Sequence, residues 1–305
     1  MVVQGYHRES LLSSIEGDLL NSHNLPTAVL GRTGLTVTRL GYGSGHRKPM
    51  DDAQRDRILN AVLDSGINLI DTAISYGNSE ELIARFIGHR RSEFYIATKG
   101  HVWNRKGITD SLHKSLIRLN TEYVDVFQLH GPSVSECEDG ELVQALQEMR
   151  DQGKVRWIGV STNLPDLPTF IDWNVFDVFQ IPYSALERDH EDLINKAAGA
   201  GAGILIRGGV GLGEPGVGTG DAQQWAKFEE AGLDELRQDR ESRTAWMVRF
   251  TLTHPNTHTN IVGTTDPNHL DENANSILRG PLPSEVYSEA CMRLGSVGVG
   301  PTNNP

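Results

Sequence analysis

Leu40-Gly41-Tyr42-Gly43-Ser44-Gly45 decides the fold. A leucine followed by alternating glycines reads as a short strand running into a turn, as at the first strand of an open, dinucleotide-binding sheet. Such a sheet would carry Gly-x-Gly-x-x-Gly and open directly into a helix. Here the glycines stop at Gly45, and the next helical pattern begins only at Ala53. The strand feeds a loop. An open doubly wound sheet gives way to a closed α/β barrel.

The rest of the chain agrees. After Leu40–Gly43, apolar runs recur at Asn68–Asp71, Phe94–Thr98, Val124–Leu129, Val155–Val160, Val178–Ile181, Gly203–Ile206 and Asn260–Gly263. They are continuous rather than alternating, as expected of parallel strands covered on both faces. Amphipathic patterns fill most gaps, among them Ala53–Ser65, Glu80–His89, Asp110–Leu119, Glu141–Asp151 and Glu191–Ala200. Eight strand–helix units predict a (β/α)8 barrel over residues 27–294. Val29–Val37, with Gly31 and Gly34 in its turn, predicts a β-hairpin that plugs the N-terminal end. Ser284–Leu294 predicts an extra helix after the eighth unit. Residues 1–26 form an N-terminal extension, with helical spacing over Ser10–Leu20 that suits a surface helix or frayed tail. Residues 295–305, rich in Gly, Pro and Asn, are expected to be a flexible tail.

Composition narrows the function. The chain has 305 residues, with 28 basic against 40 acidic side chains and a net charge of −12. That balance argues against nucleic acid or an anionic membrane as a partner. Cys137 and Cys291 are too few for a disulfide framework and lack metal-ligand spacing, so a reducing, cytoplasmic setting is expected. No apolar run approaches the ~20 residues of a membrane span, and no basic segment leads into an apolar one at the N-terminus.

Barrel chemistry sits at the C-terminal ends of the strands. The second strand ends at Asp71, with Tyr76 in the loop beyond; the third ends at Thr98-Lys99, and the fourth at Leu129-His130. Four titratable residues therefore share one rim. A buried Lys99 ammonium would stabilise a Tyr76 phenolate, and Asp71 would hold that ammonium charged and oriented. His130 would direct a substrate oxygen by hydrogen bonding. No nucleophile and no metal-ligand set accompanies them. Acid/base groups alone imply a cofactor that carries electrons.

These residues resemble the aldo-keto reductases, and the resemblance runs from Val29 to Leu294. It rests on Gly31–Val37, Gly66–Ala73 through Tyr76-Gly77, Thr98-Lys99, Leu129-His130, Gly153–Asn163 and Gln180–Tyr183. The resemblance implies a catalytic tetrad of Asp71, Tyr76, Lys99 and His130, with Tyr76 as general acid in reduction and base in oxidation. It also implies nicotinamide dinucleotide bound without a Rossmann fold. Ser161, Asn163 and Gln180 match positions that hold the carboxamide, and Tyr183 matches the ring that stacks on it. The loop Arg207-Gly208-Gly209-Val210-Gly211 would wrap the pyrophosphate. Gly263, Thr264, His269, Glu272 and Asn273 match the adenosine-phosphate site. Gly263 and His269 stand where many NADPH-dependent members carry lysine and arginine. NADP(H) is nevertheless favoured over NAD(H) as the family's usual choice.

The expected activity is hydride transfer between nicotinamide and a small carbonyl or alcohol compound. Tyr42, His46 and Trp103, with the Gly213–Gln224 loop, are the candidate substrate-pocket residues, and none names the compound. A redox-sensing, cofactor-binding regulatory subunit of the same fold is the alternative. An isomerase using Lys99 as a Schiff base leaves Ser161, Asn163 and Tyr183 unexplained.

Overall fold

The computed structural model describes residues 24–45 and 50–302. Strand β1 (Thr27–Val29) pairs antiparallel with β2 (Thr36–Thr38), Ala28 opposite Val37. Eight further strands follow: β3 (Leu40–Gly43), β4 (Leu69–Asp71), β5 (Tyr95–Gly100), β6 (Val124–His130), β7 (Val155–Ser161), β8 (Val178–Pro182), β9 (Gly203–Arg207) and β10 (Thr259–Val262). Each pairs in parallel with its neighbours, and the order β10-β3-β4-β5-β6-β7-β8-β9 closes on itself. Closure leaves no open edge in this sheet. The expected (β/α)8 barrel is the observed one.

Among the described residues ten α-helices accompany the strands: α1 (Asp52–Asp64), α2 (Ser79–Ile87), α3 (Arg105–Leu119), α4 (Glu141–Asp151), α5 (Leu167–Trp173), α6 (Glu191–Gly199), α7 (Ala222–Glu230), α8 (Arg243–Thr253), α9 (Pro267–Leu278) and α10 (Ser284–Ser296). Their local causes are ordinary. In α1 a capping box links Asp51 and Gln54, and Ile58, Leu59, Val62 and Leu63 bury one stripe.

The hairpin closes the barrel floor. Leu30, Leu35 and Val37 pack with the inward residues Leu69, Ala97, Val126, Val178, Leu205 and Ile261 in one dry cluster. Arg32 pins it there by donating to Ala200 O at 2.6 Å and Asn174 Oδ1 at 2.9 Å. The far end of the chain is also held. The buried Arg188 donates to the carbonyls of Cys291 and Val299, and Thr302 N donates to Asp189 O at 3.3 Å. Residues 297–302 are thus tied to the barrel, where composition alone suggested a flexible tail. Ser10–Leu20, His46 and residues 303–305 lie outside the described residues.

Candidate active site

Strand alternation builds the site. Side chains two residues apart share a face, so the strands that place Leu69, Ala97, Val126, Val178 and Leu205 in the dry floor place Asp71, Lys99, Gln128, Gln180 and Arg207 one layer higher. The lower layer is apolar and the upper one polar. A change of residue type along five inward faces thus converts packed core into chemistry.

Lys99 is fully buried, yet its ammonium is matched. Nζ donates to Asp71 Oδ2 at 2.7 Å and to Thr72 O at 2.9 Å. The other Asp71 oxygen accepts from Gln180 Nε2 at 2.8 Å, and Gln180 Oε1 accepts from Ser161 Oγ at 3.0 Å. One chain of hydrogen bonds therefore joins β7, β8, β4 and β5, and both carboxylate oxygens are used. A buried charge pair holds its place only when its remaining lone pairs are met in this way. Lys99 keeps a third N–H donor with no partner among the described residues.

Tyr76 faces this ammonium. Lys99 Nζ lies 5.1 Å from the Tyr76 ring centroid. The Tyr76 backbone is held by Tyr76 N donating to Ala73 O and Ser79 N donating to Tyr76 O. Gly45 backs the ring: a Cβ there would fall 2.8 Å from Tyr76 Cε2, so only glycine lets the backbone approach this closely. His130 meets the same ring edge-on, centroids 5.8 Å apart, and its Nδ1 lies 3.5 Å from Ser75 Oγ. Burial, with the nearby Lys99, His101 and Arg207 cations, depresses the His130 pKa from about 6.5 to about 4. His130 is a neutral imidazole near pH 7.

From this point a cleft of about 460 Å³ runs away from the tetrad. Asp71, Tyr76, Gln180 and Arg207 line one end; Thr264, Thr265, Asp266, His269, Glu272 and Asn273 line the other. Between them lies the loop Gly208–Thr219, turned by glycines at φ 72, 53 and 80 (Gly208, Gly211 and Gly213). Asp266 caps α9 through Asn268 N, so a helix N-terminus also opens on the cleft. Asn273 Oδ1 is buried without a hydrogen-bond partner, an acceptor left for a ligand. An elongated molecule with a polar, anionic middle and hydrogen-bonding ends fits this lining. A nicotinamide dinucleotide has that form.

Not every expected residue arrives. Gly208, Gly209, Gly263, Thr264, His269, Glu272 and Asn273 do line the cleft, together with Arg207, while Gly211 turns the loop from beneath, against Trp225. Ser161 stands behind Gln180. Asn163 is exposed and lies off the cleft. Tyr183 is fully buried, its hydroxyl 2.9 Å from Tyr287 Oη and its ring against Phe250 and His254, and it is not among the residues that line the cleft. Tyr42 is likewise buried and donates to Thr264 O at 3.0 Å; it positions the β10 loop rather than a substrate. Trp103 stands on the rim, edge-on to His101, which in turn meets His130. Sequence patterns carried no signal for the contacts of Gly45 with Tyr76 or of Ser75 with His130, because they depend on elements distant in sequence.

Comparison with known proteins agrees with this geometry. A model of the aldo/keto reductase family matches residues 39–214. The chain is similar to the aldo-keto reductase YhdN of Bacillus subtilis, 32% identical over 202 residues, covering 58% of this chain and 61% of that one. It is also similar to the NADH-specific methylglyoxal reductase of Escherichia coli, 31% identical over 196 residues, covering 53% of this chain and 60% of that one. The chain thus spans about three fifths of the length of these two relatives. The holo structure of aldo-keto reductase AKR11C1 from Bacillus halodurans superposes with a TM-score of 0.80 at 23% identity, over 90% of this chain and 98% of that one.

Proposed function

The chain belongs to the aldo/keto reductase family, and from that premise we propose that it is a nicotinamide-dependent carbonyl reductase or alcohol dehydrogenase with Tyr76 as its general acid/base. The observation that carries the proposal is the buried Lys99, paired with Asp71 and standing 5.1 Å from the Tyr76 ring. A cation held there by a fixed carboxylate stabilises the negative charge that Tyr76 acquires when it gives up its proton. Neutral His130, beside the same ring, supplies hydrogen bonding that orients the substrate oxygen. When bound, the cofactor supplies the hydride. The glycine loop and the α9 N-terminus would hold its phosphates, and Asn273 its adenine end.

The preferred cofactor on this reading is NADP(H). Gly263 offers no cation to a 2′-phosphate, but a second cavity of about 300 Å³, lined by Arg240 and Arg279, shares Glu272 with the adenine end of the cleft. Parallel fluorescence titrations with NADPH and NADH test this, and tighter NADH binding would reverse the preference. The acid/base assignment is tested by Tyr76→Phe. Turnover over a panel of aldehydes and ketones should fall by about 10²–10⁴, the usual contribution of a general acid, while cofactor binding persists. Undiminished turnover would remove Tyr76 from the role.

A further inference from the structure

Arg207 is a cation with no direct ion pair among the described residues. It ends β9, and alternation with the inward Leu205 directs it to the barrel interior beside Asp71, Tyr76 and Gln180, with which it lines the cleft. Among the described residues, no hydrogen bond from its guanidinium and no carboxylate within 4.0 Å is present. The two buried arginines among the described residues are paired: Arg249 holds Glu241 at 2.8 Å and Arg188 holds Glu191 at 2.7 Å. The strongest carboxylate influence on Arg207 is Glu187, which lies off the cleft and whose own carboxyl is pushed up by burial. The five N–H donors of Arg207 are met by no acceptor among the described residues and open on the cleft, so an external acceptor there would complete them.

The charge around Tyr76 points the same way. Asp71 and Lys99 cancel, and His130 is neutral, which leaves Arg207, influenced by Glu187 without a direct ion pair, as the positive charge lining the hydride-transfer end of the cleft. Arg207 also feels Tyr76 and Asp71 directly and acts on His130. It therefore sits at the reacting end rather than beside Thr264–Asn273. The glycine loop beyond it supplies backbone donors to a pyrophosphate without it.

We propose that Arg207 recognises an anionic group on the substrate, so that the preferred substrates are oxo acids whose carboxylate lies close to the reacting carbonyl. The inference rests on the hydride-transfer reading above. A planar guanidinium accepts a carboxylate through two parallel hydrogen bonds, which fixes direction as well as position. Anchored there, the substrate presents its carbonyl oxygen to Tyr76 in one orientation.

The test compares 4-oxobutanoate with its methyl ester, using the full chain with its bound cofactor. The wild type should favour the acid in kcat/KM. In Arg207→Gln that preference should shrink by about tenfold to hundredfold, mainly through KM, as expected for loss of charged hydrogen bonds. Arg207→Lys should retain part of it, since charge survives without the fork. Cofactor titration of each variant separates the alternative source of the anion. A weaker cofactor Kd with an unchanged acid-to-ester ratio would assign Arg207 to the pyrophosphate and overturn the proposal. Equal use of acid and ester by the wild type would overturn it alone, leaving the hydride-transfer reading intact. Turnover of neither compound, with cofactor bound, would bring down both.

Discussion

Lys99 Nζ lies 2.7 Å from Asp71 Oδ2, and neither side chain is more than 6% exposed. The pair is worth most as a constraint. Removing one partner strands the other charge in the interior, at about 3–5 kcal/mol, whereas removing both leaves no orphan. Asp71→Asn should therefore lower the unfolding free energy by about 3 kcal/mol. The double variant Asp71→Asn/Lys99→Met should lose less than the sum of the single losses. Urea denaturation of the four proteins measures the coupling, and strict additivity would mean that the two charges are not paired. Activity should be lost in all three variants.

The depressed pKa of His130 predicts the acid side of the pH profile. Its ordinary value near 6.5 falls to about 4 in the fold. Between these values the unfolded chain binds a proton that the folded protein refuses. This histidine therefore makes stability fall as pH drops from about 6.5 toward 4, and has no such effect above that window. If catalysis uses neutral His130 as proposed, kcat/KM for a neutral aldehyde should show no His130 limb near pH 6.5. Its acid limb should appear close to pH 4. A limb near 6.5 that disappears in His130→Gln would show an ordinary, solvated imidazole instead.

The barrel was legible because its signal is repeated: eight apolar runs, most followed by a helical pattern, agree with one another even where single boundaries slip. That Asp71, Tyr76, Lys99 and His130 share one rim was legible for the same reason, since strand ends mark the rim without any knowledge of which strands adjoin. Other features had no such repetition. Helix α8 is buried at every position from Ala245 to Leu252, so it shows no polar stripe and no 3.6-residue period. On sequence, Tyr42 is a candidate for the substrate pocket and Tyr183, by family resemblance, for stacking on the cofactor. Each is instead drawn inward by partners remote in sequence, Thr264 for one and Tyr287 for the other. Spacing cannot reveal a hydrogen bond that spans 222 or 104 residues.

Tyr183 gives a direct check of that correction. Its hydroxyl bonds Tyr287 Oη at 2.9 Å in a site where burial raises both phenol pKa values. Tyr183→Phe and Tyr287→Phe should each cost about 1 kcal/mol in stability, the usual net worth of one hydrogen bond. Because the bond is shared, the double variant should cost little more than either single one. Additive losses would indicate that the hydroxyls serve separate partners, as they would if Tyr183 turned toward the cofactor.

Gly45 tests how tightly the acid must be held. A Cβ at this position would stand 2.8 Å from Tyr76 Cε2 and 3.1 Å from Cζ, closer than carbon atoms tolerate. The contacting atoms belong to a side chain that can rotate, so Gly45→Ala should be absorbed by displacement of the phenol rather than by unfolding. Thermal stability should change by less than about 1 kcal/mol. A shift of the proton donor by a fraction of an ångström, however, costs heavily in rate; about 10²-fold is typical for 1 Å. We expect kcat to fall by about tenfold or more, and Gly45→Ala to have no further effect once Tyr76 is already phenylalanine. Full activity in Gly45→Ala would mean that the Tyr76 hydroxyl acts without the backing of this loop.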